Sequence, residues 1–295
     1  KELILKNLID LKKDGSFRLD MSYFDYATGL TMTNKKFDKL FGKPVRKSED
    51  ELLTQFHMDI AASIQAVTEE IVIRLTRDIA SEYKIKKICM AGGVALNCVA
   101  NGKILKDGVF DDIWFQPAAG DAGGSLGAAL AYWHHELKKE RKVNLTDSMK
   151  GSYLGPKFEN DEIEKELQTL NANFKKYKED ELIPIIAKEL SEEKTIGWFQ
   201  GRMEFGPRAL GGRSILADPR SVNIQKELNL KVKFRESFRP FAPSILNEEV
   251  GNWFELENIS PYMLLVADVK KEIQITMTTE QKNLFGIEKL NIKRS

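Results

Sequence analysis

Twice in succession, a short apolar run stops at a cluster of glycines and gives way to a helix-competent segment. Lys87-Ile88-Cys89-Met90-Ala91 leads into Gly92-Gly93 and then residues 94–105. Asp112-Ile113-Trp114-Phe115 leads into Gln116-Pro117-Ala118-Ala119-Gly120-Asp121-Ala122-Gly123-Gly124, with a helix expected over 125–137. A strand that leaves through glycines into a helix is the repeating unit of α/β folds, and ligands collect at the carboxyl ends of such strands. The expected fold class is therefore α/β.

The length, 295 residues, leaves room for two domains at the usual ~100–200 residues apiece. Lys and Arg total 45 against 44 Asp and Glu, for a net charge of +1. A protein that neutralises many phosphates shows a basic excess, so nucleic acid is not expected as a partner and any anion site must be local. Cys89 and Cys98 are the only cysteines. Both read as core thiols in a reducing, cytoplasmic compartment. No apolar run reaches about eighteen residues, so no membrane span is expected. The opening at Lys1 has no signal-peptide pattern and no Met, which reads as a piece of something longer.

Ser16 to Asp20 looks hairpin-like. Ser48 and Glu51 have the spacing of a capping box, which predicts the start of a long helix. Its apolar face is Phe56, Ile60, Ile64, Val67, Ile71, Leu75 and Ile79, three or four residues apart. The charge run Lys138-Lys139-Glu140-Arg141-Lys142, followed by Gly151, Gly155 and Pro156, marks a domain boundary, giving domains over 1–142 and 150–295. Helices are expected over 161–170, 181–192 and 222–230 and strands over 195–199 and 262–269, with 200–220 and 234–244 irregular.

Three stretches could carry chemistry. Gly92 and Gly93 would let a ligand approach the backbone, with Asn97 offering a donor and an acceptor to a base or ribose; a tight strand-to-helix turn explains the glycines equally well. Asp121, set among small residues, could cap the following helix or bind a metal, and local sequence favours the cap. Arg202, Arg208 and Arg213 fall in a Gly/Pro-interrupted block, with Arg220, Arg235 and Arg239 soon after. Planar, permanently charged guanidinium groups suit phosphate and carboxylate, so the block reads as an oxyanion pocket on which the guanidinium groups converge, against a structural ion-pair network as the alternative. Glu204 is expected to pair with one arginine and fix its direction. His57, His134 and His135 lack the spacing of a zinc site.

The stretches 91–97 and 116–124, the block from Arg202 to Arg213, and Phe234-Arg235-Glu236-Ser237-Phe238-Arg239-Pro240-Phe241-Ala242-Pro243-Ser244, in that order, resemble the NodU/CmcH-type O-carbamoyltransferases. His57-Met58-Asp59-Ile60-Ala61-Ala62-Ser63-Ile64-Gln65 resembles that family's long helix. The resemblance implies that 1–142 is the carboxyl half of an actin/Hsp70-like ATPase lobe and that 150–295 is an α+β YrdC-like domain, cut short at its carboxyl end. It implies ATP, a divalent metal of iron or magnesium type, carbamoyl phosphate as donor, carbamoyl adenylate as intermediate and a hydroxyl-bearing small-molecule acceptor, with homodimerisation left open. On that reading Arg202, Arg208, Arg213, Arg235 and Arg239 bind and polarise the phosphate or mixed anhydride. Ser214 and Ser244 add hydrogen bonds, Gly92, Gly93 and Asn97 hold the nucleotide, and Asp121 is a metal ligand rather than a cap. The family's histidine pair of metal ligands would precede this chain, so the piece by itself is expected to be inactive. A threonylcarbamoylation-like tRNA-modification component and a non-catalytic nucleotide- or anion-binding module remain as alternatives.

Overall fold

An unbroken stretch without Gly or Pro from Gln55 to Tyr83 makes the longest element, and its ends show how it is bounded. A computed structural model describes residues 1–47, 51–144, 146–290 and 292. Ser48, half of the expected capping box, lies outside them. The helix starts later than its pattern predicts: Thr54 is the N-cap, and His57 Nδ1 accepts a hydrogen bond from the Thr54 backbone N–H at 3.0 Å. A histidine thus does the reciprocal capping expected of Glu51.

The chain forms two units, one of Lys1–Ile88 with Val99–Ile113, the other of Cys89–Cys98 with Trp114–Ser295. In the first unit come helix α1 (Glu2–Asn7), strands β1 (Ile9–Leu11) and β2 (Phe17–Leu19), helix α2 (Lys35–Phe41) and the long α3 (Gln55–Tyr83). β1 and β2 pair antiparallel, Ile9 opposite Leu19, as the hairpin reading of 16–20 anticipates. Ile4, Leu8, Ile9 and Val67 form the buried cluster, with Phe37, Leu40, Phe41 and Ile71 packed against it. Each such aliphatic side chain contributes roughly 1.5–3 kcal/mol on burial. The buried stripe on α3 is Val67, Glu69, Val72 and Thr76. Ile64 and Ile79, expected on the apolar face, are exposed. Glu69 is held in that stripe by Lys103 and Gln65.

The chain crosses between units within strands β3 (Lys87–Met90) and β4 (Asp112–Phe115), which pair; β4 has its expected bounds and β3 ends one residue short of Ala91. Between them a 3-10 turn (Gly93–Leu96) precedes α4 (Cys98–Asp107), so that helix starts later than the expected residue 94. After β4, α5 covers Asp121–Ala131 and runs into a π-type turn, Tyr132–Glu136. Its start precedes the expected Ser125 because Gly123 is inside the helix for a packing reason: a Cβ there would lie 2.1 Å from the Ala118 carbonyl oxygen. Cys89 is exposed and Cys98 half-buried, both free thiols, which corrects their reading as core residues.

Helices α6 (Asn160–Thr169) and α7 (Glu179–Ser191) follow close to expectation, then β5 (Ile196–Phe199), β6 (Arg213–Leu216) and α8 (Ile224–Glu227). β6 was not expected, because Arg213-Ser214-Ile215-Leu216 is half-buried throughout and shows no alternation. It pairs antiparallel with β5, Phe199 opposite Arg213. The strand expected over 262–269 does not form. Met263 takes a left-handed φ of 52°, and only Val269 makes a lone bridge, to Phe254. The result is a mixed α/β protein whose sheets, among the described residues, are three strand pairs. No helix among the described residues is long and apolar enough to cross a membrane.

Candidate functional site

With β5 paired to β6, residues 200–212 become the connection of a hairpin, closed by the Gln200 N–H donating to the Gly212 carbonyl at 2.9 Å. A connection this long needs its own interior, and here that interior is a carboxylate. The Glu204 side chain is 0% exposed. Its Oε1 accepts from the Leu210 N–H at 2.6 Å and the Gly212 N–H at 2.8 Å, and its Oε2 from Arg213 Nε at 3.0 Å. Burial pushes the Glu204 carboxyl up, but the backbone donors of Leu210 and Gly212 and the Arg213 guanidinium outweigh it and hold it below the usual range. Arg213 Nη2 also donates to the carbonyls of Glu204 and Gly206, at 3.1 and 3.0 Å. Glu204 does pair with an arginine, as its position implies. Arg213 is thereby turned inward, tying the loop together.

The loop's middle faces the two glycine stretches, all within the second unit. Arg208 Nη2 donates to the Leu96 carbonyl at 3.2 Å, and Arg208 Nε is buried with no hydrogen-bonding partner. Gly206 has φ +131°, and a Cβ on it would stand 3.1 Å from the Pro117 carbonyl oxygen, so only glycine fits this approach. The Gly92 N–H donates to the Ala119 carbonyl at 2.8 Å, pinning the two glycine stretches to each other. Stretches 91–97, 116–124 and 201–214, separate in sequence, thus share one surface. Gly92, at φ +95°, Gly93 and Gly124 have open space where a Cβ would be. Backbone bare in this way fits the close approach of a nucleotide. Asn97, half-buried, ends the 3-10 turn, its N–H donating to the Val94 carbonyl at 2.9 Å.

Arg235 and Arg239 belong to a second group, organised around Asn229, which is 0% exposed. Asn229 Nδ2 donates to the carbonyls of Ser237 and Arg239, and its Oδ1 accepts from Arg235 Nε at 2.5 Å. The Arg235 guanidinium lies 4.9 Å from the centre of the Phe241 ring. Arg239 Nε donates to Glu236 at 2.8 Å. Arg220 folds back on Asp218, whose carboxyl it draws down to about 2.

Partner chemistry sorts these arginines. Arg213, Arg220 and Arg239 are held by carboxylates, which cancel their charge locally. Among the described residues, Arg202 donates to the Gly155 carbonyl, Arg208 to that of Leu96, and Arg235 to an amide and a ring. These three are oriented by neutral groups, so their charge stays available to an anion. Ser214 Oγ is taken up by the Gly211 N–H at 3.0 Å, and Ser244 is exposed on an irregular segment.

Asp121 is the first residue of α5, exposed, and Gly120 is the N-cap with no side-chain cap bond, so the capping alternative does not hold. Among the described residues no three His, Cys, Asp or Glu side chains gather as a metal site. One exposed carboxylate does not make such a site. His134 Nδ1 donates to the Lys139 carbonyl at 2.8 Å, closing the turn after α5. A groove of about 200 Å³ lined by Phe37, Phe41, Phe56 and His57 belongs to the first unit, away from all of these residues in sequence. Sequence reasoning passed over Asp147, Ser152, Tyr153, Asn229 and Tyr262, which hold the two arginine groups in place. Only Asn229, a polar residue inside an apolar helical pattern, left a signal.

Comparison with known proteins bears on the same stretches. Residues 1–130 match the family model described as Carbamoyltransferase N-terminus, and residues 187–282 the one described as Carbamoyltransferase C-terminus. The chain belongs to the carbamoyltransferase family. Both glycine stretches fall in the first match and all five candidate arginines in the second. An uncharacterized protein of Synechocystis sp. is 60% identical over 296 residues, covering 100% of this chain and 48% of its own length. Nodulation protein NolO of Bradyrhizobium diazoefficiens is 42% identical over 222 residues, 74% of this chain and 40% of its own. Nodulation protein U of Rhizobium tropici is 30% identical over 248 residues, 84% of this chain and 40% of its own. The chain spans about half or less of the length of these relatives.

Proposed function

We propose that the protein transfers a carbamoyl group from carbamoyl phosphate, with consumption of ATP, to a hydroxyl of a small-molecule acceptor. On this reading 1–142 is the carboxyl half of an actin-like nucleotide-binding lobe and 150–295 a YrdC-like domain that takes the donor. Water first cleaves carbamoyl phosphate to carbamate and inorganic phosphate; a carbamate oxygen then attacks the α-phosphorus of ATP as pyrophosphate leaves, giving carbamoyl adenylate. The acceptor hydroxyl then takes the carbamoyl carbon and AMP leaves.

One observation carries the reading: Arg208 reaches from the arginine loop to the carbonyl of Leu96 in the first glycine stretch, with its Nε buried and unpartnered. A guanidinium N–H desolvated without an acceptor is costly, and an oxyanion placed there satisfies it. Arg202, Arg208 and Arg235 hold the phosphate and meet the negative charge that develops on it. Arg213, paired to the buried Glu204 carboxylate, positions the loop that carries Arg202 and Arg208, and Arg239 pairs with Glu236 at the surface. Gly92, Gly93 and Asn97 take the nucleotide against bare backbone. A metal would need Asp121 together with ligands from elsewhere.

The test is carbamoyl-phosphate-dependent exchange of pyrophosphate into ATP by the full-length protein. Arg208→Ala should lower the exchange by roughly 10²–10³-fold with the melting temperature held. Exchange that persists in the variant would overturn the assignment. Salt-dependent tRNA binding without exchange would favour the tRNA-modification alternative, and phosphate binding without exchange a non-catalytic module.

A further inference from the structure

The arginine loop does not hold itself in place. Residues 147–156, outside both matched regions, are hydrogen-bonded along its two sides. The Phe205 N–H donates to the Ser152 carbonyl at 2.6 Å, and Ser152 Oγ donates to the Phe205 carbonyl at 2.6 Å. The Gly155 N–H donates to the Met203 carbonyl at 2.9 Å, and the Met203 N–H to the Pro156 carbonyl at 3.0 Å. On the far side, Tyr153 Oη donates to the Leu210 carbonyl at 2.5 Å. Phe205 and Leu210 bracket Arg208, so both points that set its direction are gripped from one short segment.

That segment is itself kept in an unfavourable shape. Lys150, Gly151 and Ser152 have φ of 49°, 67° and 70°, three successive residues in the left-handed region, and Ser152 is 1% exposed. Non-glycine residues hold such angles only where their surroundings over-determine them, and such strain gathers at functional sites. Asp147 supplies the constraint. Its Oδ1 accepts from the Met149 N–H at 3.0 Å, and its Oδ2 from the Gly151 N–H at 3.2 Å and from Tyr262 Oη. Burial and the neighbouring Glu204 carboxylate raise the Tyr153 phenol, so it remains protonated and able to donate.

We propose that residues 147–156 are a clasp that aims the arginine loop, with Tyr153 as its positioning residue and the Tyr262–Asp147 hydrogen bond as its lock. The proposal rests on the reading of the loop as a phosphate site. It also gives a segment at the expected domain boundary a direct part in substrate affinity.

The test uses full-length protein and titrates inorganic phosphate and ATP separately into wild type, Arg208→Ala, Tyr153→Phe and Tyr262→Phe. Tyr153→Phe removes one hydroxyl and should weaken phosphate binding about five- to tenfold while ATP affinity and melting temperature stay near wild type. A loss of overall stability would instead weaken both ligands together, so the split between them is the reading a scaffold role does not produce. Phosphate affinity unchanged in Tyr153→Phe but reduced in Arg208→Ala overturns the clasp and leaves the loop assignment standing. Affinity unchanged in Arg208→Ala overturns the loop assignment, and the clasp with it. If Tyr153→Phe melts early, Tyr262→Phe decides: the same split sustains the clasp, and equal weakening of both ligands overturns it.

Discussion

The two arginine groups are built on different hubs. In the hairpin connection the hub is a buried carboxylate, Glu204, which gathers two backbone N–H groups and Arg213. In the segment after α8 the hub is a buried amide, Asn229, which gathers two carbonyls and Arg235. A carboxylate fixes an arginine and cancels its charge. An amide fixes it and leaves the charge in place. The comparison separates arginines that hold structure from arginines that remain available to an anion, a distinction that counting them cannot make.

The largest effect should come from the charged hub. Glu204→Gln leaves Arg213 beside a neutral side chain and turns donors toward donors, which should cost about 3–5 kcal/mol in urea unfolding. A cost under about 1 kcal/mol would mean that the pair is not the centre of the loop. Next is Arg235→Gln, which should weaken phosphate binding about tenfold with little change in stability, since a charge oriented by Asn229 is lost. Equal phosphate affinity in wild type and variant would place Arg235 with the structural arginines and erase the contrast between hubs. Acid should have a smaller effect, of definite sign. The folded Glu204 carboxyl lies below its ordinary value of 4.5, so its contribution is complete above about that pH and is lost as pH falls through the folded value. Stability followed downward from pH 4.5 should therefore decline more steeply in wild type than in Glu204→Gln. Smallest of all, Arg239→Gln removes an exposed pair with Glu236 and should change stability by ~0–1 kcal/mol and phosphate affinity by less than about twofold.

Much of this molecule was legible from local pattern. β3, β4, α6, α7 and β5 lie within a few residues of their expected positions, because each is a short periodic run bounded by Gly, Pro or charge. β6 was not legible, since a strand that is half-buried on both faces shows no alternation. The start of α5 was missed because glycine disfavours helices on average, whereas Gly123 is needed there by the approach of Ala118. At the candidate site, the residue types and a partner for Glu204 could be read in advance; the division of the arginines between two hubs, in place of the single converging pocket expected, could not. Which arginine Glu204 takes could not either, since Arg202, Arg208 and Arg213 differ only in how the hairpin turns each one.

The sequence alone determined the α/β character, the glycine stretches, the arginine-rich composition of the loop and the family. These follow from local periodicity, backbone preference and motif order, all of which a chain carries whether or not it is folded. Tertiary structure alone decided which arginines are paired to carboxylates, that Leu96 meets Arg208, and that residues 147–156 hydrogen-bond to the loop. Those outcomes depend on pairings between residues up to 115 positions apart, as between Asp147 and Tyr262. No local pattern encodes such a pairing, because hydrogen-bond partners this distant are chosen only when the whole chain has packed.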